Sequence, residues 1–134
     1  MRKTVIACIL SVGFILTACS SKQPQIILET DQFDFGDVVN GNVITRDLIV
    51  QNEGDAPLIV SEVTTSCGCT QAVMEPTTIL PGESALLYIE FDSGAHGLDL
   101  NGNVTRRIFI TSNDSQLSEA IVEFVANIVE KDES

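Results

Sequence analysis

The sequence predicts an all-β fold, an immunoglobulin-like antiparallel β-sandwich of about seven strands, after a cleaved lipoprotein signal peptide. Two observations predict the sandwich: β-branched residues recur in short runs, and clusters of Gly, Pro, Asn and Asp separate these runs. A third observation, an apolar stretch that ends at a cysteine, predicts the signal peptide. No window of a dozen residues carries a helical stripe of apolar positions, so helices are not expected in the domain.

The amino terminus has the order of an export signal. Two basic residues precede an apolar run over residues 5–16, and these 12 residues are too few for a membrane span of about 20. The Leu-Thr-Ala-Cys that follows and ends at Cys19 resembles the lipobox of bacterial lipoproteins, in which a diacylglyceryl group is attached to the thiol. We expect residues 1–18 to be removed and Cys19 to carry the covalent lipid. An ordinary signal peptide that leaves Cys19 as a free thiol is the alternative.

The residues after the cysteine predict where the protein resides. Ser20 stands where an Asp would retain some Gram-negative lipoproteins, so we expect a cell-envelope protein whose lipid anchors it in the outer membrane, facing the periplasm, rather than in the inner membrane. The polar residues 19–25, which include Pro24, predict a short tether. The sandwich is expected over residues 26–131, with a polar tail at residues 132–134.

Length and charge limit the classes of partner. Removal of residues 1–18 from the 134 leaves 116 residues, enough for one domain with its own core. This mature chain has five Lys and Arg residues against nineteen Asp and Glu residues, which gives a formal charge of −14. The cations are scattered among carboxylates. Nucleic acid is therefore not expected as a partner, nor is electrostatic adsorption to anionic lipid.

The apolar runs predict six strands, and Asp31–Val38 is expected to add a short seventh. In two of the six, every second residue is apolar, so one face should be buried and the other solvated, as in an antiparallel sandwich. The six predicted strands are Gln25–Thr30, Val43–Asn52, Leu58–Thr65, Ala85–Asp92, Val104–Ser112 and Ala120–Glu130.

Turn residues separate these runs. Asn-Gly-Asn at residues 40–42 and 101–103, and Pro-Gly-Glu at residues 81–83, place glycine where a turn needs a positive φ. Strands at this spacing favour an immunoglobulin-like sandwich, although the absence of Trp and of a widely separated cysteine pair excludes the antibody-type subclass. A small β-barrel is the alternative.

Cys67 and Cys69 are the only unmodified thiols expected in the mature chain, and Gly68 separates them. Residues two apart on a strand point to one face, so the two sulfurs should lie close together. Three interpretations are open: a local structural disulfide or packed pair, a metal site, and a redox pair. A disulfide across so short a loop would stabilise the fold little, and the usual redox spacing of Cys-x-x-Cys at a helix start is absent.

The metal interpretation adds Met74 and His96, the only histidine, to the two cysteines. This ligand set would suit copper or zinc. Spacing alone does not bring His96 near the cysteines, because it lies in the loop over residues 93–102, beyond at least one further strand. Taken singly, His96 is expected as a surface loop residue and Met74 as core filling.

Catalytic patterns are missing from the sequence. There is one histidine, no Gly-x-Ser-x-Gly elbow and no phosphate-binding glycine loop. For paired acids such as Asp34 and Asp37, solvated charge is expected rather than acid and base catalysis. The sequence therefore predicts a protein that is not an enzyme.

Five segments carry a family resemblance: Phe35-Gly36, Asn52-Glu53-Gly54-Asp55-Ala56-Pro57-Leu58, Ser66-Cys67-Gly68-Cys69-Thr70, Leu80-Pro81-Gly82-Glu83 and Thr111-Ser112-Asn113. Together they resemble the bacterial domain-of-unknown-function 1573 family over most of the mature chain. The resemblance implies a sandwich similar to the immunoglobulin-like modules of ciliary and centrosomal proteins, often exported in Bacteroidetes and their relatives. It implies no established reaction.

Residues and resemblance together predict an envelope-anchored, non-catalytic binding or scaffolding module. Such a module would meet another envelope protein through sheet edges or end loops. The alternative is an extracytoplasmic thiol-redox or copper- or zinc-handling protein that uses Cys67 and Cys69, assisted by His96 or Met74.

Overall fold

The computed structural model describes residues 21–97 and 101–130, and every regular element in these ranges is a β-strand. None of the described residues lies in a helix that could cross a membrane. In these described ranges nine strands form two stacked sheets, which confirms the predicted sandwich. The strands are β1 (Ile26–Leu28), β2 (Gln32–Val39), β3 (Val43–Asn52), β4 (Leu58–Thr65), β5 (Thr70–Glu75), β6 (Thr78–Ile79), β7 (Ser84–Asp92), β8 (Gly102–Ser112) and β9 (Glu119–Val129).

The strands divide into a four-stranded sheet of order β1-β3-β7-β5 and a five-stranded sheet of order β2-β9-β8-β4-β6. Described neighbours pair antiparallel, as predicted, except β2 and β9, which pair in parallel. These two strands are far apart in the sequence, so no short hairpin connects them and constrains their relative direction. The outermost pair thus departs from the antiparallel pattern expected from the sequence.

Two strands were not predicted, β5 and β6. The β5 strand is only six residues long, directly follows the cysteine segment and ends before Pro76, so its apolar alternation is short. The β6 strand has two residues and pairs with the start of β4. Short edge strands give little periodic signal in the sequence, and the prediction of about seven strands is therefore too low.

The second strand, Gln32–Val39, has the same eight-residue length as the short strand predicted at residues 31–38 and is shifted from it by one position. It brings two phenylalanines, Phe33 and Phe35, against Phe124 of β9, with ring centroids 5.4 and 5.1 Å apart. Phe91 of β7 lies 5.3 Å from Phe124 and joins the two sheets through this aromatic cluster. Phe91 and Phe124 are at most 1% exposed. The parallel edge strand therefore covers one side of the core.

The predicted alternation of β7 and β9 is confirmed, since every second residue of each strand is buried between the sheets. The predicted turns are also present, with positive φ at Gly41, Gly82 and Gly102. These turns allow long strands to pack face to face around a continuous apolar interior.

Asn52 joins several chain segments at one end of the sandwich. Its side chain is fully buried and makes four hydrogen bonds. The amide nitrogen Nδ2 donates to the carbonyl oxygens of Ala56 and Ile79 at 2.8 and 2.9 Å. The oxygen Oδ1 accepts from the backbone N–H groups of Gln25 and Gly54 at 3.1 and 3.0 Å. The end where the amino-terminal segment enters the domain is therefore closed by a satisfied polar residue.

Asp114 closes the same end from the other sheet. Its carboxylate, 3% exposed, accepts N–H groups from Ile26 at 2.9 Å, Gln116 at 2.8 Å and Leu117 at 3.2 Å. Burial raises the pKa of Asp114, but these three backbone donors outweigh burial and hold the pKa below its ordinary value of 3.8. The ionised carboxylate thus ties β1 of one sheet to the turn between β8 and β9 of the other.

This arrangement predicts how acid acts on the fold. Because the folded-state pKa of Asp114 lies below the unfolded value, its contribution to stability is present above pH 3.8 and is lost as the pH falls through the folded-state pKa. Asp114→Asn should lower the free energy of unfolding at pH 7 by about 1–3 kcal/mol and flatten this acid dependence. Urea unfolding between pH 3 and 7 measures both effects. Asp31→Asn, at an exposed position, is the control; equal losses in the two variants would contradict the prediction.

Candidate functional site

The chain passes from the five-stranded sheet to the four-stranded sheet over residues 66–69, between β4 and β5. On one side, Ser66 N donates to the Arg107 carbonyl oxygen at 2.9 Å, and Arg107 N donates to the Ser66 hydroxyl at 2.9 Å. On the other side, Asp92 N donates to the Cys69 carbonyl oxygen at 2.9 Å. We call residues 66–69 the crossing segment. Hydrogen bonds to β8 and to the end of β7 hold it between the sheets.

A tight turn shapes the crossing segment. Thr70 N donates to the Cys67 carbonyl oxygen at 3.2 Å, and the Thr65 hydroxyl lies 3.0 Å from the carbonyl oxygens of both Cys67 and Thr70. The turn brings the Cα atoms of Cys67 and Cys69 to 5.3 Å, within the range of about 4.4–6.8 Å that a disulfide needs. The two sulfurs are joined in a disulfide.

The two sulfur atoms have different surroundings. Cys69 is 3% exposed and belongs to the hydrophobic core. Cys67 is half-buried and opens to an exposed cleft of about 320 Å³. The accessible face of the disulfide is therefore on the Cys67 side. The cleft is lined by Ser66, Cys67, Thr105, Arg106 and Arg107.

Arg106 of β8 contacts the buried sulfur. Its Nε donates to Cys69 Sγ at 3.1 Å, while Nη1 donates to the Thr105 carbonyl oxygen at 2.8 Å. The neighbouring Arg107 points away and pairs instead with Glu123, with Nε 2.7 Å from the carboxylate oxygen. A guanidinium at hydrogen-bonding distance stabilises negative charge on sulfur. One of two adjacent arginines is thus committed to the cysteine pair.

His96 approaches the other sulfur. Its Nε2 lies 3.5 Å from Cys67 Sγ, although the residue is exposed and comes from the loop after β7. Hydrogen bonds fix the start of that loop: the Ser93 hydroxyl donates to the Asn42 carbonyl oxygen at 2.8 Å, and Gly94 N donates to an Asp92 carboxylate oxygen at 2.8 Å. The fold therefore brings together three of the residues singled out from the sequence, Cys67, Cys69 and His96.

These three residues form a group that could hold a metal ion. Both Sγ atoms and a ring nitrogen of His96 lie within 4.8 Å of one another. Two thiolates and an imidazole suit copper or zinc, but the disulfide must first be reduced, since thiolates are the ligands. The arrangement can therefore support thiol–disulfide chemistry in one state and metal binding in the other.

The other two predicted site residues lie elsewhere. Met74 is 3% exposed within the core and stands opposite Leu87. It is four residues along β5 from Thr70, so about 13 Å of strand separates it from the crossing segment. The structure does not bring Met74 to the sulfurs. Cys19, the predicted lipidation site, falls outside the described residues.

Arg106 was not predicted as a site residue. In the sequence it is one of two adjacent arginines among many acids, and nothing in its spacing links it to the cysteines. The link comes from sheet register: Thr65 pairs with Ile108, so Arg106 stands two residues beyond, next to the crossing segment.

The comparison with protein families decides how the chain is classified. The model of a family described as a protein of unknown function, DUF1573, matches residues 26–128. The chain belongs to this family. The match includes the crossing segment and His96, and the family resemblance drawn from the sequence is confirmed. A comparison with curated proteins finds no match for this DUF1573 chain.

Solved structures show the same fold. A protein of unknown function from Porphyromonas gingivalis W83 matches with a TM-score of 0.65 and 26% identity, covering 84% of this chain and 50% of that protein. The VesB protease of Vibrio cholerae matches with a TM-score of 0.61 and 12% identity, covering 78% of this chain and 32% of the protease. The ASH / PapD-like domain 7 of human CEP192 matches with a TM-score of 0.62 and 9% identity, covering 93% of this chain and 100% of that domain.

This chain matches only part of the first two proteins. This chain spans half of the Porphyromonas protein and about a third of the protease. At 9% and 12% identity, the human domain and the protease share the fold with the DUF1573 chain, and a shared fold does not carry an activity. The predicted immunoglobulin-like β-sandwich is confirmed at the level of the fold.

Proposed function

We propose that this DUF1573 chain is a cell-envelope lipoprotein, anchored through lipid on Cys19, whose domain binds another envelope protein and catalyses no reaction. One observation carries the binding proposal: an exposed apolar patch runs across the outer face of the four-stranded sheet. On soluble domains, contiguous apolar patches larger than a few hundred Å² are rare and mark interaction sites.

Four side chains form this surface, which we call the outer patch: Ile49, Val73, Leu86 and Tyr88. They are 45%, 54%, 52% and 40% exposed. Ile49 of β3 stands directly opposite Leu86 of β7, and Val73 of β5 stands directly opposite Tyr88. Leu86 and Tyr88 are two residues apart on one strand and so share a face. The outer patch is therefore continuous across three strands.

The outer patch reaches a free sheet edge. In the described part of the chain β5 pairs within its sheet only with β7, so its other side is an edge of the sheet. An exposed edge can add a strand from a partner, whose side chains then contact the adjacent sheet face. Val73 lies on this edge strand, which joins the edge to the apolar surface.

Charges around the outer patch indicate the chemistry of the partner. Asp47 stands opposite Tyr88, and Glu75 stands opposite Leu86. The Tyr88 hydroxyl donates to Glu90 at 3.1 Å. Desolvation raises the pKa of Tyr88, and the Glu90 hydrogen bond and the charges of Glu90 and Asp47 raise it further. An extended segment with apolar side chains flanked by Lys or Arg would complement this acidic rim.

The segment that follows the proposed anchor enters the domain at the end closed by Asn52 and Asp114. Gln23 N donates to the Asp55 carboxylate at 2.7 Å, and Asp55 N donates to the Gln23 carbonyl oxygen at 2.9 Å. Pro24 is buried and Ile26 begins β1. A lipid on Cys19 would therefore be only a few residues from the first fixed part of the domain, which holds the outer patch close to the membrane.

Lipid anchoring is tested by replacing the modified cysteine. Cys19→Ser should move the protein from the membrane fraction to the soluble fraction, because acyl chains contribute about 0.8 kcal/mol per buried methylene. Fractionation of cells with immunoblotting measures this, and intact-mass spectrometry should find lipid on wild-type protein. The double variant Cys67→Ser, Cys69→Ser is the control and should stay in the membrane. Membrane retention of the Cys19→Ser protein would contradict the anchor.

Partner binding is tested by photo-crosslinking in living cells. A photoreactive amino acid at Val73 or Leu86 should capture the same discrete envelope protein, and Tyr88→Glu in the same chain should reduce capture at least fivefold. The controls place the photoreactive residue at Ile59 or Ile121, which are 49% and 42% exposed on the other sheet. Equal capture from both sheets, or no discrete product from the outer patch, would overturn the binding proposal.

A further inference from the structure

The cysteine pair has features that binding through the outer patch does not use. Cys67, Cys69, Arg106 and His96 meet at the end of the sandwich opposite the entry of the amino-terminal segment. The length of β7, from Ser84 to Asp92, separates the two ends by about 27 Å. The thiol site is therefore a second surface of the domain.

We propose that Cys67–Cys69 is a reversible disulfide that exchanges with an external dithiol, with Cys67 as the attacked sulfur and Cys69 as the leaving sulfur. The two roles are assigned from the accessibility of the two sulfur atoms to an external thiolate. A thiolate must reach the sulfur that it attacks. Cys67 opens to the cleft between the crossing segment and β8, whereas Cys69 is 3% exposed.

Arg106 supports the role of Cys69 as leaving group. When the disulfide breaks, the buried Cys69 sulfur takes the electron pair and becomes a thiolate. A buried, unpaired anion would be costly, but Arg106 Nε already lies 3.1 Å from this sulfur. The Thr70 hydroxyl lies 3.7 Å away and offers a second contact. The pocket is thus prepared for the charge that appears on reduction.

The Cys67 sulfur also has hydrogen-bond donors. Cys69 N donates to Cys67 Sγ at 3.0 Å, and His96 Nε2 lies 3.5 Å from the same atom. Once Cys67 is released as a thiolate, the backbone N–H of Cys69 stabilises it, and the ring of His96 lies beside it. Both sulfurs are therefore placed beside groups that favour the reduced state.

The exchange takes place in two displacement steps. One thiolate of the external dithiol attacks Cys67 Sγ, forms a mixed disulfide and breaks the Cys67–Cys69 bond, whose electron pair leaves on Cys69. The second thiol of the dithiol, after losing its proton, attacks its own partner sulfur in the mixed disulfide and displaces Cys67 as a thiolate. Two electrons pass from the dithiol, which becomes a disulfide, to the cysteine pair. The two dithiol protons are released to the solvent; the Cys67 thiolate takes up one proton from it, and the Cys69 thiolate stays paired with Arg106.

The fold tolerates this reaction. The disulfide spans one intervening residue, Gly68, so it removes little chain entropy from the unfolded state. The backbone N–H groups of Ser66, Arg107 and Asp92 donate the hydrogen bonds that hold the crossing segment, and none of these bonds involves sulfur. Reduction should therefore leave the sandwich folded, as a repeatable switch requires.

The experiment measures the redox equilibrium of the full chain, purified from membranes in detergent. The chain is equilibrated with mixtures of reduced and oxidised dithiothreitol, quenched with acid and alkylated, and the reduced fraction is read by mass spectrometry. The wild-type pair should interconvert fully. Arg106→Gln should lower the equilibrium constant for reduction about tenfold, which is about 30 mV for two electrons. Arg106→Lys should recover part of this loss.

Arg107→Gln is the matched control, because Arg107 lines the same cleft but pairs with Glu123; it should change the constant less than twofold. Circular dichroism checks that each variant is folded. The single variants test direction of attack: Cys67 in Cys69→Ser should form a mixed disulfide with oxidised glutathione, a linear disulfide, at least tenfold faster than Cys69 in Cys67→Ser.

Three results would overturn the proposal. The first is a pair that stays oxidised under excess dithiol in the folded chain, and the second is an Arg106→Gln variant that behaves like wild type. The third is a reduced pair that binds copper(I) or zinc, each added alone, so tightly that oxidised dithiothreitol no longer reoxidises it, which would assign the site to metal. None of these results depends on the outer patch, so the binding proposal is tested separately.

Discussion

The passage of the chain from one sheet to the other at residues 66–69 is the constraint on which the candidate site depends. A sandwich requires its chain to change sheets, and here the change is made in a four-residue turn that contains both cysteines. Cys69 is buried in the hydrophobic core between the sheets, while Cys67 remains half-exposed at the surface. The different exposure of Cys67 and Cys69 is a geometric consequence of where the chain crosses.

The same crossing explains why residues far apart in sequence meet at the sulfurs. Arg106 arrives because β8 is the neighbour of β4 in the five-stranded sheet, and His96 arrives because β7 is the neighbour of β5 in the four-stranded sheet. Each sheet thus contributes one nitrogen-bearing side chain to one sulfur. The opposite end is built differently, with Asn52 and Asp114 saturated by backbone hydrogen bonds. One end of the sandwich is closed by hydrogen bonds, and the other end carries the cysteine pair.

The sequence was most informative where a strand has one buried and one solvated face. The β7 and β9 strands were predicted within one residue, because their apolar residues alternate over nine and eleven positions. The β5 strand and the parallel pairing of β2 were missed, since a six-residue edge and the pairing of distant strands give no local pattern. In the candidate site, the proximity of Cys67 and Cys69 could be predicted because only Gly68 separates them in the sequence. The proximity of His96 and the role of Arg106 depend on tertiary pairing, which the spacing of residues does not encode.

The most direct test of this account observes the guanidinium of Arg106 itself. Nuclear magnetic resonance can follow the Nε–Hε signals of Arg106 and Arg107 in the oxidised chain and after reduction. If the sheet crossing holds Arg106 against Cys69, its Nε–Hε signal should shift on reduction and its proton should exchange with water more slowly, while the Arg107 signal stays in place. Arg106 and Arg107 signals that both remain unchanged would contradict the account.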